Sequence, residues 1–184
     1  MSGKIFLVNC IDFRYDYLVC NYLTNIGYRD NYYNGTTAGA ALPLGYKCYC
    51  KTQCKNKEPK CDPINNNIQT LKQSLDLNIN ISKTLSPITE VYLLDHQDCG
   101  AFKAFLPCSG YPDNLGDDNE KEIKIHKDVL IWAKKYIQNN FENVKVRMGL
   151  IDDNGTVCDL VDGKWVCQYK GPGKNPKGLW YNKC

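Results

Sequence analysis

Several features that would settle the class of a chain at once are scarce or missing here. There are two histidines and, against 20 lysines, only three arginines. Guanidinium groups are the usual bidentate readers of phosphate. With so few of them and the lysines scattered, nothing marks a nucleic-acid groove. The net charge of +3 is too mild to argue for nucleic acid or a membrane surface as partner. Long apolar runs are absent: nothing approaches the ~20 residues a membrane helix needs. The run nearest the start, Ile5–Val8, is too short for the core of a secretion signal. The chain is therefore expected in the cytosol, or in a virion should its source be a virus. No Cys-x-x-Cys pair occurs among the 11 cysteines, which argues against a thioredoxin-like redox site.

The cysteines themselves are the first positive signal. A reducing cytosol disfavours disulfides, so a thiol-rich chain there gains weight as a metal binder or catalyst. Their odd number means that internal pairing cannot consume them all. A chain of 184 residues can bury roughly 70% of its unfolded surface around one core, so one domain over residues 1–184 is expected.

Patterning suggests alternating strands and helices. Lys4–Cys10 holds a continuous apolar run, as a strand buried on both faces does. Tyr15, Leu18, Val19, Tyr22, Leu23 and Ile26 fall at helical spacing, with Gly27 as the stop. Asn31–Thr37 reads as a second strand. Helical spacing resumes at Ile68, Leu71, Leu75 and Ile79, and Glu90–Asp95 is another buried-strand run. The strongest helix is Asn119–Asn139, with Ile123, Val129, Leu130, Trp132, Ala133 and Ile137 as its apolar set. Val144–Ile151 reads as the last core strand. The expected class is α/β, a mainly parallel central sheet flanked by helices.

Two segments lie outside that rhythm. Residues 46–63 are Lys- and Cys-rich without apolar periodicity and read as a surface insertion. Its Cys48, Cys50, Cys54 and Cys61 allow three readings: a second, structural metal site, disulfides, or free thiols. Residues 156–184 read as a C-terminal extension opening with a β-hairpin that turns at Asp162-Gly163, a favoured type I′ pair. A two-residue turn there sets Cys158 opposite Cys167 in a non-hydrogen-bonded pair, with Cα atoms ~4.5 Å apart. That spacing is open to a disulfide, or to two reduced cysteines packed as small hydrophobes. His126 reads as an exposed or packed histidine on the long helix.

Chemistry concentrates in two segments, Cys10-Ile11-Asp12-Phe13-Arg14 and His96-Gln97-Asp98-Cys99-Gly100. Each begins where a buried strand ends, so neighbouring parallel strands would bring both to one edge of the sheet, where ligands gather. Two thiolates and one imidazole form a Cys₂His set that leaves a fourth position open, the pattern of a catalytic zinc.

These two segments resemble the paired signature motifs of the β-class carbonic anhydrases. Thr37-Ala38-Gly39-Ala40 is similar to that family's Asn-Ala-Gly loop, and Gly149–Asp152 followed by Gly155 to its last core strand and turn. The resemblance spans most of residues 4–157. It implies zinc held by Cys10, His96 and Cys99, with water or hydroxide as fourth ligand and carbon dioxide hydrated reversibly to bicarbonate. Asp12 would orient the hydroxide, and Arg14 would keep Asp12 ionised. Phe13, Ala38, Gly39 and Gly100 would shape the substrate pocket, and a homodimer or higher homo-oligomer is implied. The sequence departs from the family in having Phe13 for the usual Ser, Ala101 for a second Gly, and Thr36-Thr37 for Arg-Asn. A bulkier, more apolar entrance would suit carbonyl sulfide or carbon disulfide, which related proteins hydrolyse. A catalytically silent structural or virion protein on the same fold is the third alternative.

Overall fold

A computed structural model describes residues 4–46, 61–106, 111 and 118–171; for residues 61–65 it describes the backbone. The elements follow the expected alternation. Strand β1 (Lys4–Cys10) leads through a 3-10 turn (Phe13–Tyr15) into helix α1 (Asp16–Asn25) and strand β2 (Tyr32–Thr37). Helix α2 (Cys61–Leu85), strand β3 (Ile88–His96), helix α3 (Gly100–Phe105) and helix α4 (Asn119–Asn140) follow. Strands β4 (Lys145–Ile151), β5 (Val157–Val161) and β6 (Lys164–Tyr169) complete one sheet in the order β2-β1-β3-β4-β5-β6.

The first four strands of that order are mutually parallel, while β5 and β6 join antiparallel at one edge. Burial on both faces explains the unbroken apolar runs. Phe6 and Val8 of β1, with Val91 and Leu93 of β3, meet Leu75 and Ile79 of α2 and Leu130, Ala133 and Ile137 of α4. The alternate residues Ile5, Leu7, Tyr92 and Leu94 meet Leu18, Val19, Tyr22 and Leu23 of α1 on the other face. Period-two alternation thus feeds two cores at once. Gly27 ends α1 with φ +86°, the left-handed stop expected of it.

The hairpin obeys its turn. Asp162 and Gly163 have φ +47° and +77°, both positive as a type I′ turn requires. Val161 pairs with Lys164, Leu160 with Trp165, Asp159 with Val166, and Cys158 with Cys167, the last pair joined as a disulfide with Cα atoms 3.8 Å apart. The register expected from the turn is the one observed.

Two expectations need correction. Residues 61–63 belong to helix α2 rather than to the insertion. Cys48, Cys50 and Cys54 lie outside the described residues. The C-terminal hairpin is the extension expected, and β5 pairs with β4 to continue the main sheet. Finally, the core-facing stripe of α4 begins with Glu122, Ile125 and His126, while Ile123 and Trp132 are only half-buried. No helix among the described residues is long and apolar enough to cross a membrane.

Candidate metal centre

The centre follows from strand polarity. β1 and β3 are parallel neighbours, so their final residues, Cys10 and His96, emerge at one edge. Beyond His96 the chain turns back through Asp98, which takes a left-handed φ of +55°, a conformation Asp adopts more readily than most side chains. That reversal returns Cys99, the residue capping α3, to the end of β1.

Sγ of Cys10, Sγ of Cys99 and a ring nitrogen of His96 all lie within 4.8 Å of one another. The two sulfurs are 3.9 Å apart. A tetrahedral ion with metal–sulfur bonds of ~2.3 Å separates two sulfurs by ~3.8 Å, so the spacing fits. His96 is prepared in the same sense. Its Nδ1–H donates to the carbonyl of Gln97 at 2.7 Å, which leaves the lone pair on Nε2. That Nε2 is buried without any hydrogen-bond partner. An orphaned buried acceptor is costly unless something occupies its lone pair. Two buried thiols and an imidazole are the donor set zinc prefers, and these residues fit it.

The thiols favour a ligand role as well. A hydrogen bond from Cys99 is the largest influence lowering the pKa of Cys10, outweighing burial, with His96 and the Gly39 amide adding to it. Cys99 is raised in turn by its hydrogen bond with Cys10 and by burial, which leaves Cys10 the readier thiolate.

Asp12 and Arg14 form a rigid arm beside the sulfurs. The Asp12 carboxylate caps the 3-10 turn by accepting the Arg14 amide at 3.1 Å. Arg14 Nε donates to both its oxygens at 2.9 and 3.0 Å, and a terminal nitrogen donates at 2.6 Å. The other terminal nitrogen reaches Asp98 Oδ2 at 2.9 Å, so one guanidinium ties the two motif segments together. Burial works against the Asp12 carboxylate, but the Arg14 bonds outweigh it and hold its pKa below the usual range. Asp98 behaves alike: burial opposes its charge, and Lys103 and Arg14 overcome the penalty. Asp12 Oδ2 lies 3.9 Å from His96 Nε2, at the border of the same space.

A cleft of about 560 Å³ opens onto this centre, lined by Cys10, Ile11, Asp12, Phe13, Arg14, Ala38, Gly100, Ala101, Ala104 and Phe105. Of the expected pocket residues Phe13, Ala38 and Gly100 line it, with Phe13 at the rim and 70% exposed. Gly39 does not. It turns the chain at φ +77°, where an added Cβ would press on Leu42 and Ala101 at 3.0 and 3.1 Å.

Residue patterning missed Tyr15, whose ring lies 4.2 Å from that of His96 and whose hydroxyl donates to the Gln97 carbonyl at 3.1 Å. It also missed the buried polar groups behind the centre. His126, expected at the helix surface or packed, is fully buried, with Nδ1 3.0 Å from Asp95 Oδ2. The available signal was Asp95, a charge inside an otherwise apolar run, and the four-residue spacing from Glu122 to His126.

No protein-family model matches the chain. Two bacterial proteins are similar in sequence. An uncharacterized protein of Rickettsia bellii is 24% identical over 156 residues, covering 85% of this chain and 80% of the relative. An uncharacterized protein of Rickettsia conorii is 26% identical over 156 residues, covering 85% and 71%. In structure the chain is similar to a tetrameric β-carbonic anhydrase of the filamentous ascomycete Sordaria macrospora. The TM-score is 0.52 at 15% identity, over 90% of this chain and 83% of that one. The likeness is one of fold.

Proposed function

We propose that this protein holds a zinc ion through Cys10, His96 and Cys99 and catalyses the reversible hydration of carbon dioxide to bicarbonate. The observation that carries this reading is His96 Nε2, buried and unpartnered, facing two thiols beside an ionised Asp12. When bound, zinc supplies Lewis acidity that brings the pKa of a coordinated water to about 7. The chain's own residues then have separate tasks. Asp12, kept ionised by Arg14, offers only acceptor oxygens to a water beside His96 Nε2, and so selects its orientation. Arg14, engaged by Asp12 and Asp98 together, prevents that carboxylate from drifting. Ile11, Phe13, Ala38, Ala101, Ala104 and Phe105 give the cleft apolar walls suited to a small uncharged substrate.

Those walls favour a second reading, hydrolysis of carbonyl sulfide or carbon disulfide by the same residues. Assembly as a homodimer or higher homo-oligomer belongs to the proposal too. Ile11 and Phe13 expose large apolar side chains at the cleft rim, 62% and 70% accessible, which burial against another copy would cover.

Metal analysis and stopped-flow carbon dioxide hydration on one preparation test the proposal. One zinc per chain is expected, with Cys10→Ser losing both metal and turnover, and Asp12→Asn keeping metal while losing most turnover. Faster turnover of carbonyl sulfide than of carbon dioxide would select the second reading. Zinc bound without turnover of either would leave a catalytically silent protein, and a chain that takes up no zinc would sink the proposal.

A further inference from the structure

We infer that a buried assembly of Asp95, Tyr111, Glu122 and His126, none of which lines the cleft, positions the loop carrying His96 and Cys99 and thereby sets how tightly the centre holds its metal. The inference rests on the metal-binding reading above. Three consecutive loop residues are tied to this assembly. Gln97 Nε2 donates to Glu122 Oε2 at 3.3 Å and also to Asn119 Oδ1. The Asp98 amide donates to Glu122 Oε1 at 2.5 Å. The Cys99 amide donates to the Tyr111 hydroxyl at 3.3 Å, and that hydroxyl donates to Glu122 Oε1.

Behind them stands His126. Its Nε2 lies 3.0 Å from the Tyr111 hydroxyl and its Nδ1 lies 3.0 Å from Asp95 Oδ2. The other Asp95 oxygen accepts the Ala41 amide at 3.0 Å, reaching the turn after β2 that faces Cys10. The lattice therefore grips both sides of the centre, the Cys99 loop directly and the turn of residues 38–41 through Asp95. Phe102 covers it, with its ring 4.1 Å from His126 and 5.5 Å from Tyr111.

Physical cost argues for a task. Asp95, Glu122 and His126 are 1%, 2% and 0% exposed. Burying such groups is expensive, and apolar residues of similar volume commonly stabilise a core as well or better. Helix α4 turns Glu122 and His126 inward at four-residue spacing where Ile or Leu would pack. What apolar residues could not do is accept the Asp98 and Cys99 amides. Hydrogen bonds around ligands commonly change metal affinity 10- to 100-fold when removed.

The test uses Tyr111→Phe and Glu122→Gln in the full chain, with hydrogen exchange of the apo-protein, zinc affinity by chelator competition, and the charge-transfer band of the cobalt-substituted protein. Faster exchange is expected at the Asp98 and Cys99 amides, with the middle of α4 unchanged. Zinc affinity should fall about 10- to 100-fold and the cobalt band should shift. A merely structural role would lower thermal stability and leave affinity and spectrum alone, and that outcome overturns the inference. Should one variant fail to fold, the other decides. A parent chain that takes up no zinc defeats the metal-binding reading alone, while exchange at Asp98 and Cys99 still decides whether the assembly holds the loop.

Discussion

Arg14 shows how much one side chain can organise. Its planar fork reaches Asp12 and Asp98 at once, contacts of 2.6 and 2.9 Å that a lysine's single ammonium cannot make together. Arg14→Lys should therefore keep zinc, because no ligand is touched, yet lower kcat/KM at least tenfold as Asp12 loses its fixed direction. Metal content and steady-state kinetics on one sample check this, and unchanged kinetics would show that Asp12 needs no such brace. The Asp12–Arg14 pair was expected from the motif that carries the family resemblance, and the contact itself is local. Asp98 and Lys103 as further partners were not, because their approach depends on the left-handed turn after β3.

Among the elements, β4 and β5 are fastened to β3 and α1 by a polar cluster inside the apolar core. Arg147 donates to Asp159 Oδ2 at 2.6 Å, Tyr92 donates to Asp159 Oδ1 at 2.8 Å, and Arg147 also reaches the Tyr22 hydroxyl at 2.6 Å. Asp159→Ala leaves a guanidinium and a buried phenol without their acceptor. Roughly 2–4 kcal/mol of stability should be lost in urea unfolding, and a loss under 1 kcal/mol would mean that water replaces the carboxylate. The hairpin disulfide acts differently, by restricting the unfolded chain. Closing a nine-residue separation contributes about 2.5 kcal/mol on the chain-entropy account. Replacing Cys158 and Cys167 together by Ser should lower Tm by roughly 5–10 °C. Zinc content should stay unchanged, because β5 and β6 lie beyond β4, away from the ligand-bearing β1 and β3.

Two predictions belong to the molecule as a whole. If the metal joins β1 to the β3 loop, a ligand bound only by the folded state stabilises all of it. A thousandfold excess over Kd corresponds to about 4 kcal/mol. Stripping zinc with a chelator should accordingly lower the Tm of the parent chain and leave that of Cys10→Ser where it was. The pH dependence of stability has a contribution of known sign from Glu90. Burial, aided by the charge of Asp159, raises its pKa against the pull of Arg147 and Lys145. The fold thus favours the protonated form, and stability is lost as pH rises from the unfolded carboxyl pKa through the raised folded one. Glu90→Gln should raise Tm at pH 7 and give no gain near pH 4, a comparison two calorimetric scans settle. A gain of the same size at both values would assign the effect to packing.

The sequence by itself determined whatever depends on near neighbours and on periodicity: the strands buried on both faces, the type I′ turn with Cys158 facing Cys167, and the ligands placed at strand ends. Each follows from local backbone sterics or from a repeat that survives any packing. Tertiary structure alone decided that β1 and β3 lie side by side, bringing Cys10 within 3.9 Å of Cys99 across 89 residues of chain. It decided equally that Glu122 and His126 face inward, a choice that ran against their polarity. Burial of a charged group is unfavourable taken alone and tolerable only once its partners arrive from distant segments, and patterning can mark such a group, as the charge of Asp95 does inside its apolar run, without saying which partner it meets.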